Sequence, residues 1–249
     1  MGIYYTPAYI VDYIVRNTVG EYIKGKSFAS INKVKILDPA CGSGSFLIRA
    51  FDALVEESER IFKRKLRYEE KTSLMLNCIH GVDKDERAVD ICKLNLSLKL
   101  AEKEQKLPEL YNNIKCGDSL IDDENVAGDK AFNWHEKFKS IMNNGGFDVV
   151  IGNPPYGAEL EEKEKKYLKL KFNEDKTNNT ASLFIFLGYS VLKDNGNISF
   201  IVPKQLTYTS AWTGTRKLLI RNNLRYVLDS SEAFEDVELE QIIFILNKH

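Results

Sequence analysis

The sequence predicts a doubly wound α/β fold: a seven-stranded, mostly parallel sheet with helices on both faces and its last strand antiparallel. Three observations predict it. Seven short β-branched runs are mostly bounded by Gly, Pro, Asp or Asn. Longer helical stretches separate them. Between Leu228 and Ile242, however, the chain has too few residues for a helical crossover, so the strand after it reverses direction.

The elements follow in order. In YYTPAYIVDYIV, Thr6 suits an N-cap and Pro7 the first helical position, with Ile10, Val11, Ile14 and Val15 as the buried stripe. Strands are predicted at Val34 to Leu37, Ile79 to Val82, Asn113 to Cys116, Phe147 to Ile151, Ile198 to Val202, Tyr226 to Leu228 and Ile242 to Leu246. Helices are predicted at Ser45 to Phe62, Glu86 to Glu104, Thr180 to Leu192 and Lys204 to Arg221. Residues 122–146 and 157–179 read as irregular insertions. Within the second, Glu159 to Phe172 is a mixed-charge, solvated helix whose Lys165, Lys166 and Lys169 suit phosphate contacts.

Composition bounds the function. With 249 residues, 43% hydrophobic and 29% charged, the chain suits one large globular domain, alone or with a small appendage. A formal charge of -1 announces no general affinity for nucleic acid, so any polyanion site is local or supplied elsewhere. Cys41, Cys78, Cys92 and Cys116 form no CxxC pair, and His80, His135 and His249 form no ligand cluster. A reducing, metal-free, cytoplasmic protein is expected. No signal segment or bilayer-length apolar run is present in the sequence.

Chemistry concentrates at the strand ends. LDPACGSGSFL places Gly42 and Gly44 in a tight turn before a helix, a weak signal alone. The third dinucleotide-fingerprint glycine is replaced by Leu47, and no lysine marks a P-loop. Asp38, Asp83 and Asp118 close the first three strands. Three carboxylates would repel a pyrophosphate but suit a cationic adenosyl ligand, with Asp83 on the ribose hydroxyls and Asp118 near the adenine amino group. Asp38 and Asp85 also suit helix caps, the commoner role of a single strand-end acid. In FDVVIGNPPYG the buried run stops at two prolines that cannot donate to a sheet, displaying Asn153 and Tyr156 at a strand's carboxyl end. A bare NPP is ordinarily a turn; this context favours a site.

As a set, YYTP (Tyr4 to Pro7), DPACGSGSFL (Asp38 to Leu47), GVDKDERAVDICKLNL (Gly81 to Leu96), CGDSL (Cys116 to Leu120) and DVVIGNPPYG (Asp148 to Gly157) resembles the gamma group of adenine-specific, amino-methylating DNA methyltransferases found in restriction-modification systems. The likeness runs from Tyr4 to about Lys248, and its later segments GNISFIVP and SSEAFEDVELEQIIFILNK match that group's last strands and their hairpin. It implies a Rossmann-like S-adenosylmethionine-dependent methyltransferase fold. It also implies cofactor contacts from Tyr5, Thr6, Asp38, Ala40, Gly42, Gly44, Phe46, Asp83, Asp118 and Asn153. The implied catalytic set is Asn153, Pro154, Pro155 and Tyr156: the Asn153 side chain and Pro154 carbonyl accept the two amino hydrogens of adenine, and Pro155 stiffens the loop. Tyr156 and Phe234 would hold the base flipped from double-stranded DNA. A core-facing Phe234 is about equally expected.

The same NPPY chemistry serves methylation of a protein glutamine amide or an RNA guanine amino group, and a noncatalytic DNA-binding module could retain the fold. YYTP ahead of the glycine turn, with the Phe234 hairpin, favours adenine in DNA. A nicotinamide oxidoreductase is disfavoured by the missing third glycine. The chain is expected to be one catalytic domain, 1–249, with the 1–30 region packed on it and a target-recognition domain supplied by a longer parent protein.

Overall fold

The computed structural model of the chain describes residues 6–101, 105–173, 175, 177, 179–230 and 240–249. Seven strands form one sheet in the order β3-β2-β1-β4-β5-β7-β6: β1 (Ile36–Asp38), β2 (Ile79–Asp83), β3 (Ile114–Cys116), β4 (Phe147–Gly152), β5 (Leu192–Pro203), β6 (Asn223–Asp229) and β7 (Gln241–Asn247). β1 to β5 pair in parallel, whereas β7 lies antiparallel between β5 and β6. The doubly wound sheet and the reversed final strand are as expected.

Two-residue alternation divides the core between the faces. Ile36, Val149, Ile151, Ile201 and Ile243 face one side, with Phe46, Leu47, Phe51 and Leu54 of the Ser45–Phe62 helix and Ile10, Val11, Ile14 and Val15 of the Ala8–Val15 helix. Leu37, Val82, Val150, Ile198, Phe200 and Phe244 face the other, where the Thr180–Val191 helix and the aromatics Phe132, Trp134 and Phe138 cover them. Strands buried on both faces must be apolar at successive positions, which explains the uninterrupted run VVI in β4. His80 belongs to that aromatic packing, 5.7 Å from both Phe138 and Phe147 by ring centroid; burial and nearby Lys35 keep it neutral, with a pKa lowered to about 3.

Several boundaries differ from expectation. The Tyr68–Cys78 helix has no counterpart among the predicted elements: its apolar spacing is weak, and Glu70 starts it by accepting from the Arg67 N–H at 2.8 Å. The expected helix over Lys204 to Arg221 is broken into Gln205–Tyr208, a 3-10 turn at Ser210–Trp212 and Thr213–Arg221. Buried Trp212 anchors the break. The insertion 122–146 contains short helices at Glu124–Ala127, Trp134–Lys137 and Lys139–Asn143. Glu162–Lys171 is helical, as the charge pattern suggested. Thr6 does not cap the first helix: Pro7 occupies the cap position and no side chain caps it. The Thr6 hydroxyl is used elsewhere.

The sheet's order reverses between the parallel neighbours β1 and β4: from β1 the chain winds outward through β2 to β3, and from β4 it winds outward to the other side through β5. At such a switch point the carboxyl ends of adjacent strands open a crevice, because the following loops leave on opposite faces. Asp38 ends β1 and Gly152 ends β4. A Cβ at Gly152 would stand 2.6 Å from the Asp38 Oδ1, so only glycine admits this approach.

Candidate active site

The wall after β1 is a glycine turn braced by a neighbouring strand. Gly42 and Gly44 take φ of +51° and +92°, the left-handed region that glycine enters without penalty. A Cβ on Gly44 would come within 2.7 Å of the Cys92 Sγ, whereas one on Gly42 would meet nothing within 4 Å. Gly44 is therefore needed for packing, and Gly42 borders open space. The Asp83 carboxylate accepts from the Gly42 N–H at 2.8 Å and from the Asp85 N–H at 2.9 Å. Asp85 caps the Glu86–Leu98 helix through the Arg87 N–H, fulfilling that expectation.

Asp38 lies behind this turn. It is 1% exposed, and its Oδ1 accepts from the Ala40 N–H at 3.1 Å. Burial pushes its pKa up to about 8; the Ala40 N–H opposes this and the negative charge of Asp83 adds to it. Burial also raises Asp83. Two acids in one small crevice thus lack a cation among their described partners.

The third acid is differently placed. Asp118 accepts from the Leu120 N–H at 3.0 Å and pairs with Lys84 at 2.9 Å, and Lys84 reaches on to Glu164 at 3.1 Å. Lys84 thereby ties the ends of β2 and β3 to the Glu162–Lys171 helix. Asp38 and Asp83 converge on the glycine turn, while Asp118 is already charge-paired. Phe46 is buried in the core at 3% exposure. Lys165 pairs with Glu162, and Lys166 and Lys169 are exposed.

Beyond β4 a chain of side-chain hydrogen bonds surrounds the NPPY turn. The Asn153 Nδ2 donates to the Thr6 Oγ1 at 3.1 Å, and the Tyr156 hydroxyl donates to the Asn153 Oδ1 at 2.9 Å. The Gln241 Nε2 donates to the Tyr156 hydroxyl oxygen at 2.9 Å. Burial raises the Tyr156 phenol to about 12, so it stays protonated and able to donate. Thr180, at the start of its helix, donates to the Pro155 carbonyl and holds the turn from the far side. Among the described residues no donor reaches the Pro154 carbonyl. Asn153 therefore stands at the switch point with both ends of its carboxamide oriented, next in sequence to a carbonyl that no described residue engages.

Thr6 and Asn153, far apart in sequence, are brought together; Tyr4, Tyr5 and Phe234 lie outside the described residues. Gln241, Thr180 and Lys84 carry site contacts that the sequence did not single out. Gln241 had one visible signal, an amide opening the otherwise apolar run QIIFIL. The other two had none.

The chain is similar to known restriction-modification proteins. The model of the Eco57I restriction-modification methylase family matches residues 77–234, and that of the RMKL-like methyltransferase domain matches 31–109. The type II restriction enzyme and methyltransferase RM.Eco57I of Escherichia coli is 36% identical over 281 aligned positions, covering 98% of this chain and 27% of that protein. The type II methyltransferase M.VspI of Vibrio sp. (strain 343) is 23% identical, covering 99% of this chain and 48% of that protein. The chain thus spans between about a quarter and a half of these relatives. A solved structure of a nuclease-deletion mutant of the type ISP restriction-modification enzyme LlaGI, in complex with a DNA substrate mimic, superposes with a TM-score of 0.75 at 22% identity, over 99% of this chain and 23% of that one. Because that family model matches more than half of the chain and RM.Eco57I is 36% identical across 98% of it, the chain belongs to the Eco57I restriction-modification methylase family.

Proposed function

We propose that this chain is the catalytic domain of a restriction-modification DNA methyltransferase that methylates the exocyclic amino nitrogen of adenine, using S-adenosylmethionine. Three observations support it: the Asn153 Oδ1 is oriented by the Tyr156 hydroxyl, no described residue donates to the Pro154 carbonyl, and both follow β4 at the sheet's switch point.

The amino nitrogen of adenine is a poor nucleophile because its lone pair is delocalised into the ring. Two acceptors that take its two hydrogens draw it toward tetrahedral geometry and stabilise the charge that develops as it attacks. A carboxamide oxygen has two acceptor positions. The Tyr156 hydroxyl fills one at Asn153, which leaves one for an amino hydrogen. The Pro154 carbonyl takes the other. Thr180 holds the neighbouring Pro155 carbonyl, so the turn need not reorganise. Tyr156, fixed at its hydroxyl, offers its ring to an extruded base.

The residues around the glycine turn fit the cofactor by their chemistry. A buried Asp38, held protonated by burial and by Asp83, becomes a favourable carboxylate beside a cation. Asp83 spends one acceptor site of each oxygen on backbone N–H groups, leaving others for ribose hydroxyls. The open space at Gly42 admits a ligand against the backbone. S-adenosylmethionine, when bound, supplies an activated methyl on a sulfonium. Asp118, at the end of β3, would meet the adenine amino group only by sharing its carboxylate with Lys84.

The test is transfer of labelled methyl by the full-length protein to separate duplex DNA, RNA and protein acceptors, followed by digestion of the product. Label in N-methyladenine of DNA is expected. Label confined to RNA, protein or cytosine would refute the assignment.

A further inference from the structure

The hydrogen bonds beyond β4 have a direction, and Gln241 sets it. A carboxamide NH₂ only donates, so the Tyr156 oxygen must accept from Gln241 and its single proton is left for Asn153. Asn153 must then turn its oxygen toward Tyr156 and its NH₂ toward Thr6. Gln241 is 1% exposed, at the head of a strand whose next five residues are buried and apolar. Its Oε1 is buried without a partner among the described residues. An aliphatic side chain there would avoid leaving a buried acceptor unmet, a cost that native structures rarely carry without a reason. Strand pairing also holds the residue in place. It lies opposite Pro203 of β5, and its carbonyl accepts from the Ser230 N–H at 2.9 Å.

We propose that Gln241 is a positioning residue which, through the Tyr156 hydroxyl, fixes the end of the Asn153 carboxamide that faces the acceptor nitrogen. This rests on the proposed role of Asn153. Without the Gln241 donor, the Tyr156 proton is free to turn elsewhere, and Asn153 loses the contact that distinguishes its oxygen from its nitrogen. A reversed carboxamide presents a donor to an amino group and cannot draw on its hydrogens. Gln241 would not touch base or cofactor.

Two measurements test this. The chain has three glutamines, Gln105, Gln205 and Gln241, so with ¹⁵N-glutamine labelling the Gln241 side-chain amide is assigned by its loss in Gln241→Leu. In this chain without DNA or cofactor, its NH₂ protons should exchange slowly with solvent, and Tyr156→Phe should speed that exchange about tenfold or more. In the full-length protein, Gln241→Leu should lower kcat for DNA methylation about tenfold while the KM for cofactor stays within about twofold. In a Tyr156→Phe background the same substitution should change kcat less than about twofold, because no hydroxyl remains to be oriented. Amide exchange indifferent to Tyr156→Phe, or an equal kcat loss in both backgrounds, would overturn the proposal. A wild-type protein that methylates no DNA would count against the proposed function instead, and amide exchange would still decide the role of Gln241.

Discussion

Replacing Asp38 with asparagine should remove the part of the pH dependence of cofactor binding that this carboxyl contributes. The wild-type carboxyl has a pKa pushed up to about 8, chiefly by burial and further by Asp83. At pH 7 only about a tenth of the protein carries the Asp38 charge. A cation bound beside it favours the ionised form, so binding at pH 7 should release roughly 0.9 proton per site from this group. Between pH 6 and pH 8 the ionised fraction rises from about 1% to about 50%, and affinity should rise by roughly 50-fold if the bound carboxyl titrates below that window. The ligand's own ammonium, with an ordinary pKa near 8, titrates in the same range. It contributes equally to both proteins, so the difference between wild type and Asp38→Asn isolates the protein's group. Asparagine keeps the acceptor for the Ala40 N–H, which limits disturbance of the turn.

The assay is calorimetric titration of S-adenosylmethionine at pH 6, 7, 8 and 9 in buffers of different ionisation enthalpy. Wild type should show the extra proton release; Asp38→Asn should not, and should bind more weakly above pH 8. Identical pH profiles would refute the role of Asp38. Stability supplies an independent check, with the opposite sign. The unfolded carboxyl ionises near pH 4 and the folded one near 8, so the unfolded state holds fewer protons between them and wild-type stability falls as pH rises through that window. The melting temperature of Asp38→Asn relative to wild type should therefore climb from pH 5 to pH 8.

Asp83→Ala removes both a ligand acceptor and the brace on the Gly42 N–H, and should weaken cofactor binding by roughly 1.5 to 3 kcal/mol in the same titration; equal affinities would remove Asp83 from the site. Asn153→Ala should abolish methyl transfer by the full-length protein while largely preserving cofactor affinity, and near-normal turnover would overturn the mechanism. Tyr156→Ala should be less damaging to transfer than Tyr156→Asp, since a carboxylate adds repulsion toward DNA and a buried charge; the reverse order of rates would argue against base stacking. With 35 basic and 36 acidic side chains, residues 1–249 should hold duplex DNA weakly, with affinity falling steeply from 50 to 200 mM salt by fluorescence anisotropy. Tight, sequence-selective binding by these residues would place target recognition within them.

The parts of the fold legible in sequence are those where local pattern and global role coincide. A strand buried on both faces must be continuously apolar, and a strand ending at the switch-point crevice must stop on a turn, so β4 announces both its class and its position through VVIGNPP. Likewise Gly44 of the β1 turn is fixed by close packing against Cys92, and both Gly42 and Gly44 by a backbone conformation that side chains avoid. The Tyr68–Cys78 helix was obscure because its apolar periodicity is weak and its start depends on the Glu70 side chain meeting the Arg67 N–H. Trp212 breaks the expected Lys204 to Arg221 helix by its burial, a tertiary effect that propensity does not record.

At the candidate site, the sequence pointed to residues of suitable chemistry but not to those that orient them. Thr6 read as a helix cap because the local pattern TP accounts for it fully, yet a hydroxyl has one set of acceptor positions and the distant Asn153 uses them. Gln241 and Lys84 are ordinary in isolation; each becomes specific only when the sheet order sets β7 beside β5 and β2 beside β3. Sequence proximity decides which strand delivers an acceptor to the switch point. Which end of that acceptor faces the crevice is decided by hydrogen-bond polarity carried in from other strands, and for this reason a perturbation at Gln241 should reach the Asn153 amide without altering the strand that bears it.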